Sequence, residues 1–228
     1  MALFHPVARQ FALYSLPIKQ FTRQVTSKAW MQRHVTDYYV KKSVDSGLRS
    51  RSAFKLKEIQ DKYHLIKKND FVLDLGCAPG GWSVVIADIL DPAHNGLLLS
   101  VDLLPMEKVK SYVQVVGDMT DPSIILQLKQ LAGGRLSNVI VSDMMANTSG
   151  NHMTDHYRSM DLCYIGLDMC RSMLGSGGTF LCKYFKGEDE NELISEAKEL
   201  FSTVKPIKPK ASRSESAENY LLCIGKKR

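Results

Sequence analysis

Lys183 is the most unusual chemical feature of this 228-residue sequence, because it lies in the otherwise apolar and aromatic segment 180–185. Lysine is almost never fully buried without a partner. Two interpretations are open: an edge lysine whose ammonium reaches solvent, or a lysine that is neutral often enough to accept a proton. Asp143, which follows an earlier apolar run, is a second candidate for site chemistry.

A glycine-rich turn follows the mostly apolar segment 71–75 and departs from the Gly-x-Gly-x-x-Gly spacing of dinucleotide sites. It suits a ligand with a carboxylate and no pyrophosphate, such as the methionine half of S-adenosylmethionine. Asp102 and Asp118 follow the next two apolar runs, where they are placed to accept from ribose hydroxyls and from an adenine amine. Each acid alone is as well explained as a turn residue, but their succession favours a nucleoside. The predicted cofactor-binding residues are Gly76, Pro79, Gly80, Gly81, Trp82, Asp102 and Asp118.

The elements that position these residues alternate between short apolar strands and amphipathic helices. We predict strands at residues 71–75, 97–103, 113–116, 138–142, 179–185 and 220–224. We predict helices at residues 46–65, 81–90, 121–131, 155–174 and 190–201. This alternation indicates an α/β fold with a mostly parallel sheet and helices on both faces. Ligands of such sheets bind outside the carboxyl ends of the strands, where these candidate residues lie.

The net charge of +6 is concentrated in segments. Residues 41–68 carry nine basic residues against three acids, and residues 205–228 carry seven against two. Such clusters suit a polyanion-binding face, although an idle solvated surface is an equal alternative. The five cysteines form no Cys-x-x-Cys pair and are expected to be reduced, mostly buried thiols. No apolar run approaches the roughly 20 residues that span a bilayer, so no membrane span is expected.

The N-terminal residues 1–36 contain five basic residues and no acid. This pattern, with hydroxyl and apolar residues interspersed, is typical of a mitochondrial presequence, and a basic tail that touches RNA is the alternative. We expect a leader at residues 1–28 and one catalytic domain at 29–228.

From Trp30 to Arg228 the sequence resembles the FtsJ/RrmJ family of ribosomal RNA ribose 2′-O-methyltransferases. The matching segments are residues 32–34, Asp37, 39–42, 49–56, 74–83, 102–106, 117–118, 142–144, Lys183, 212–213 and Ser216-x-Glu218-x-Tyr220. The resemblance implies a Rossmann-like S-adenosylmethionine-dependent methyltransferase fold with a seven-stranded sheet. It implies S-adenosylmethionine as the cofactor and no metal, because a sulfonium is already a good leaving group.

The resemblance also implies a catalytic tetrad of Lys55, Asp143, Lys183 and Glu218. Lys183 would accept the proton of the ribose 2′-hydroxyl, while Asp143 would hold Lys183 and border the cofactor. Lys55 and Glu218 would position the ribose and its phosphate. One stretch departs from the family pattern: Met145-Ala146 stands where bacterial relatives have Ala-Pro.

Together with the leader, the resemblance implies a monomeric mitochondrial matrix enzyme. Its expected substrate is a uridine in large-subunit ribosomal RNA, within a precursor of that subunit. The alternatives are a tRNA ribose 2′-O-methyltransferase and an RNA-binding ribosome assembly factor without catalytic activity.

Overall fold

Strand β1 (Phe71–Leu75) is an interior strand, and all five of its residues are buried. It belongs to a computed structural model that describes residues 38–213 and 215–228. The predicted leader at 1–28 and the motif residues 30–37 lie outside the described residues, as does the side chain of Lys41.

Within the described residues, seven strands form one sheet in the order β3-β2-β1-β4-β5-β7-β6. β7 is antiparallel to both of its neighbours, whereas the other pairings are parallel. The predicted α/β class with a seven-stranded, mostly parallel sheet is confirmed. The remaining strands are β2 (Leu97–Asp102), β3 (Val113–Val116), β4 (Ser137–Ser142), β5 (Leu174–Phe185), β6 (Phe201–Ile207) and β7 (Glu218–Lys226).

Helices cover both faces of the sheet. The described helices are α1 (Tyr38–Asp45), α2 (Ala53–Tyr63), α3 (Gly81–Ile89), α4 (Pro122–Leu131), α5 (His152–Met173), α6 (Glu190–Leu200) and a 3₁₀ turn at Pro92–His94. One apolar core packs α2 and α3 against one face, through side chains such as Leu56 and Ile86. The other core packs α4, α5 and α6 against the opposite face, through Leu128, Leu167 and Leu193.

The helix predicted at residues 46–65 is shorter than expected, because α2 begins only at Ala53. Gly47 has a φ of +65°, which interrupts a right-handed helix. Arg49 then donates to the backbone carbonyls of Glu107 and Lys108 at 2.6 and 2.9 Å. These contacts with a distant part of the chain hold the segment 49–52 outside the helix.

Strand β6 is not evident from the sequence, and its first residue, Phe201, falls within the preceding predicted helix. β6 lies at the edge of the sheet, pairs only with β7 and contains Pro206. Proline and exposed polar residues are tolerated at an edge but weaken the strand pattern in a sequence. β5 also begins earlier than predicted, at Leu174, and runs through the glycines that are expected to end the preceding helix.

All five cysteines are buried, as predicted. Among the described residues, no helix has both the length and the hydropathy that crossing a membrane requires.

Candidate active site

Four secondary-structure elements bring the predicted tetrad together. Asp143 follows β4, and Lys183 lies near the end of the adjacent parallel strand β5. Because β7 runs antiparallel to β5, its first residues meet the last residues of β5, with Glu218 opposite Phe185. Lys55 reaches the same place from the first turn of α2. The structure therefore joins residues separated by up to 163 positions in the chain.

Lys183 and Asp143 form a close ion pair. The Lys183 ammonium donates to Asp143 Oδ1 at 3.0 Å and to the Asp143 carbonyl oxygen at 2.5 Å. Burial opposes ionisation of the Asp143 carboxyl, but the nearby Lys183 and Lys55 charges and the hydrogen bonds to it hold its pKa below the ordinary value. Asp143 is therefore a carboxylate at neutral pH, with one oxygen directed at Lys183.

Lys55 and Glu218 form the second ion pair, with 2.6 Å between the ammonium and the carboxylate. The Ser212 hydroxyl also donates to Glu218, at 2.8 Å. Lys55, Lys183 and Glu218 are only 7%, 8% and 9% exposed. Buried ion pairs contribute little net stability because desolvation offsets their attraction, so this arrangement is better explained by chemistry than by folding.

Tyr220 links the two ion pairs and is a site residue that sequence reasoning missed. Its hydroxyl donates to Asp143 Oδ1 at 2.9 Å, and the Lys55 ammonium lies 5.8 Å from the centre of its ring. Burial, together with the Asp143 and Glu218 charges, raises the pKa of the phenol well above its ordinary value, so it remains a donor. The signal available in the sequence was its spacing, two residues after Glu218. In the structure, Tyr220 lies opposite Lys183 in the β5–β7 pairing.

A cleft of about 400 Å³ opens beside these pairs at the carboxyl ends of the parallel strands. Three carboxylates line it, together with Lys183. Of the predicted cofactor-binding residues, those that line the cleft are Gly76, Pro79, Asp102, Asp118 and Asp143. A cleft of this size and acidity fits a cationic ligand that carries hydroxyl and amine donors, as S-adenosylmethionine does.

Backbone amides orient the carboxylates at the far end of the cleft. Asp102 Oδ2 accepts from the Ala78 amide and Oδ1 from the Leu104 amide, both at 2.9 Å. Asp118 Oδ1 accepts from the amide and the hydroxyl of Thr120 at 2.9 and 2.8 Å. Asp102 therefore connects the glycine-rich turn to the end of β2. At this position its carboxylate can also accept hydrogen bonds from the hydroxyls of a ribose.

Gly80, Gly81 and Trp82 face the segment before α2 instead of the cleft. A Cβ at Gly80 would lie 2.5 Å from the Arg49 guanidinium, and one at Gly81 would lie 2.0 Å from the Ser50 hydroxyl. Trp82 is buried, donates from its indole to the Ser52 carbonyl at 2.9 Å and stacks on Tyr220 with 5.7 Å between ring centres. Close packing inside the protein thus accounts for these three residues, and their part in cofactor binding stays a prediction.

Ser50 and Ser52 line the cleft and are further site residues that sequence reasoning missed. Their hydroxyls are 2.8 Å apart, and they cover the glycine-rich turn from the α2 side. The sequence places them in a motif and in a predicted helix, and only the departure of residues 49–52 from that helix brings them to the ligand side.

Asp74 is a second, fully buried carboxyl beneath the glycine-rich turn. Ser83 donates to its Oδ2 at 2.6 Å, while Oδ1 has no hydrogen-bond partner among the described residues. Burial raises the pKa of Asp74 to about 7, and the Asp143 and Asp102 charges act in the same direction, against the Ser83 hydrogen bond. Asp74 therefore adds a further acidic group beneath the end of the cleft that Asp102 lines.

Comparisons with known proteins agree with this geometry. A protein-family model described as FtsJ-like methyltransferase matches residues 48–226. The chain is 45% identical over 198 residues to ribosomal RNA large subunit methyltransferase E of Mesorhizobium japonicum, with 86% of this chain and 74% of the relative covered. It is 40% identical over 205 residues to the protein of the same name from Brucella ovis, with 90% and 85% covered.

Solved structures give the same result. A chain described as a ribosomal RNA methyltransferase from Plasmodium falciparum matches with a TM-score of 0.69 and 28% identity, covering 78% of this chain and 98% of that one. A fibrillarin pre-rRNA processing protein of Methanococcus jannaschii matches with a TM-score of 0.50 and 16% identity, covering 72% and 70%. At that identity the second likeness concerns the fold alone.

Proposed function

The chain belongs to the FtsJ-like methyltransferase family, and on that premise we propose that it methylates a ribose 2′-hydroxyl of ribosomal RNA with S-adenosylmethionine as the methyl donor. The observation that carries the proposal is the buried network of Lys183, Asp143, Lys55, Glu218 and Tyr220 at the edge of an acidic cleft. When bound, S-adenosylmethionine supplies an electrophilic methyl group attached to a sulfonium.

Lys183, in its neutral amine form, is the proposed proton acceptor for the 2′-hydroxyl. A hydroxyl oxygen attacks an electrophile only weakly while it keeps its proton, so a nearby base promotes the attack. Asp143, 3.0 Å from the Lys183 ammonium, stabilises the positive charge that Lys183 gains when it takes the proton. Tyr220 holds the same carboxylate oxygen and so fixes the direction of the pair.

Lys55 and Glu218 are proposed to position the acceptor. Their side chains are almost fully buried and their charged ends are 2.6 Å apart, so the pair would act on the acceptor from beside the cleft. Glu218 suits a ribose hydroxyl as an acceptor, and Lys55 suits the neighbouring phosphate as a donor. Alignment of two reacting groups is itself a large source of rate, with effective molarities on the order of 10⁵ M or more.

Asp102, Asp118 and Asp143 are proposed to hold the cofactor. Asp102 lies at the end of β2, where its carboxylate can accept from the two hydroxyls of a ribose, and Asp118 follows β3, where it can accept from an adenine amine. Asp143 lies nearest Lys183 and would border the amino-acid end. This order along the sheet would direct the methyl group toward Lys183.

A basic groove supports RNA as the substrate. Lys62, Lys205 and Lys208 line a pocket of about 210 Å³ between α2 and β6. The ammonium groups of Lys62 and Lys205 lie 5.3 and 5.6 Å from the ring centre of Tyr63. The Glu58 carboxylate in this pocket accepts from the backbone amides of Lys210 and Ala211, which leaves the ammonium groups of Lys62 and Lys205 for an anion such as phosphate.

The proposed substrate is a uridine of mitochondrial large-subunit ribosomal RNA. The bacterial relatives are named as ribosomal RNA methyltransferases, which supports the ribosomal part, and the Asp-Leu-Leu-Pro-Met segment at 102–106 favours the same branch of the family. The acid-free stretch at 1–36 supports the mitochondrial matrix as the location. Fusion of residues 1–30 to a fluorescent reporter tests this location, and a reporter that stays in the cytosol would count against it.

Transfer of a radioactive methyl group from S-adenosylmethionine tests the reaction, followed by alkaline digestion of the RNA. Alkali cleaves RNA through attack by the free 2′-oxygen, so a 2′-O-methylated ribose leaves an uncleaved, labelled dinucleotide. Label in mononucleotides would mean base methylation and would refute the proposal. Transfer to tRNA but not to large-subunit RNA would support the tRNA alternative, and RNA binding without any transfer would support the assembly factor.

A further inference from the structure

Met145 occupies a position shared by two cavities of the active site. It lines the large cleft, and it also lines a small pocket on the α5 side. Lys183 lines both cavities as well. Met145 is 59% exposed, whereas the neighbouring Met144 is 8% exposed. A large apolar side chain is therefore open to solvent beside the proposed base.

The loop that carries Met145 is held in place by α5. Arg158 donates to the Asn147 carbonyl at 2.9 Å. The Asp155 carboxylate accepts from the amide and hydroxyl of Ser149 at 2.7 and 2.9 Å, and from the Gly150 amide at 3.2 Å. Met145 is therefore exposed in a loop that these hydrogen bonds hold against α5.

The acceptor nucleotide must bring its base close to Lys183. The base is attached to C1′, the carbon next to the one that bears the 2′-hydroxyl, so it lies within a few bonds of the reacting oxygen. The small pocket of about 10 Å³ has room for about one water molecule and cannot admit a base. The base must therefore lie outside that pocket, where Met145 is an exposed apolar side chain that lines the large cleft together with Lys183.

The cofactor's adenosine is expected at the other end of the cleft. Asp102 ends β2, and β1 lies between β2 and β4, the strand that precedes Met145. Neighbouring strands are about 4.8 Å apart, so β2 and β4 are separated by about 10 Å. Met145 thus lies on the acceptor side of the cleft, away from the residues that suit the cofactor's ribose and adenine.

We propose that Met145 is the packing surface for the base of the acceptor nucleotide. This inference rests on the proposed function and extends it to substrate positioning. A thioether makes favourable contacts with aromatic rings, and RNA bases that leave a helix are recognised by such packing. The ligand class is a nucleobase whose ribose is held between Lys183 and Glu218.

The test compares Met145→Ala with Met153→Ala. Met153 lies in the first turn of α5 and is also 59% exposed, but it lines neither cavity. For Met145→Ala we expect the KM for RNA to rise about twofold to thirteenfold, the range for one sulfur–aromatic contact. Affinity for S-adenosylmethionine, measured by calorimetry, should not change. Met145→Leu, which keeps apolar volume, should restore most of the RNA affinity.

Three outcomes would overturn the inference: an unchanged KM for RNA in Met145→Ala, an equal rise in Met153→Ala, or a loss confined to S-adenosylmethionine affinity. Failure of the proposed function is distinguishable, because it would appear as a wild-type protein that transfers no methyl group to any RNA. An active wild type with an unaffected Met145→Ala would refute only the role of Met145.

Discussion

Charges are balanced differently on the two sides of the cleft: the proposed acceptor side, with Lys55, Asp143, Lys183 and Glu218, and the proposed cofactor side, with Asp74, Asp102 and Asp118. On the acceptor side, Asp143 pairs with Lys183 and Glu218 pairs with Lys55. On the cofactor side, Asp102 and Asp118 accept from backbone amides and from Thr120. Within the described residues, no lysine or arginine forms an ion pair with Asp74, Asp102 or Asp118.

Asp74 and Asp143 show what this difference means. Asp74 is fully buried and the Asp143 side chain is only 15% exposed, yet the pKa of Asp143 lies below its ordinary value and that of Asp74 is raised to about 7. Burial acts in the same direction on both, so the neighbouring lysines make the difference. On the acceptor side each carboxylate is paired with a lysine. The carboxyls of the cofactor side have no such partner among the described residues, and their negative charge suits a cationic ligand.

Asp143→Asn should have the largest effect. It leaves the buried Lys183 ammonium without its counter-charge, which costs about 3–5 kcal/mol of unfolding free energy. Because the pKa of Asp143 is lowered by folding, this contribution is present at neutral pH and is lost as pH falls below about 4. Urea unfolding at pH 7 measures it, with Asp168→Asn as the control for an exposed pair with Arg171. An equal loss of unfolding free energy in Asp143→Asn and Asp168→Asn would contradict the role given to the buried pair.

Asp74→Asn should change the pH dependence of stability. The unfolded carboxyl ionises near pH 4 and the folded one near pH 7, so the wild type loses stability as pH rises between these values. The loss amounts to about 4 kcal/mol at most, from about three pKa units. Urea unfolding at pH 5 and pH 8 should show a smaller difference in the variant. The same pH dependence in both proteins would remove Asp74 as its source.

Asp102→Ala should affect the ligand more than the fold. Loss of a charged hydrogen-bond partner should weaken S-adenosylmethionine binding by about 1–3 kcal/mol in calorimetry. Asp161→Ala, which removes an exposed carboxylate of α5 outside the cleft lining, is the matched control. Unchanged affinity in Asp102→Ala would exclude this residue from the cofactor site and weaken the assignment of the two sides.

The smallest effect is expected at the basic groove. Lys62→Gln with Lys205→Gln should lower the slope of log RNA affinity against log salt by up to about two, one for each phosphate that the groove no longer neutralises. Lys129→Gln with Lys198→Gln removes the same charge from helices on the opposite face. Equal slopes in the two double variants would mean that the groove binds no phosphate.

Much of the fold could be predicted from the sequence, because interior strands such as β1 and β4 each contain three consecutive apolar residues. The edge strand β6 could not, since its few buried residues and its proline give a weak pattern. The start of the helix predicted at 46–65 was also wrong. Its residues 49–52 are directed by contacts with Glu107, Lys108 and the glycine-rich turn, which no local pattern reveals.

The site was predictable where a residue type contradicts its surroundings, as with Lys183 in an apolar strand. Lys55 and Glu218 came only from the family resemblance, because their contact spans 163 positions and has no local signal. Trp82 shows the opposite case. It lies within the right motif, but its side chain supports Tyr220 and Ser52 instead of lining the cleft.

The central claim is that Lys183 accepts the proton of the ribose 2′-hydroxyl, and single-turnover methyl transfer by Lys183→Arg tests it most directly. Arginine keeps the positive charge that pairs with Asp143 but cannot give up its proton in this pH range. With RNA and S-adenosylmethionine saturating, we predict that cofactor binding is retained and that the transfer rate falls at least about a hundredfold. A rate near that of the wild type would contradict the account, because Lys183 would then act only as an orienting cation.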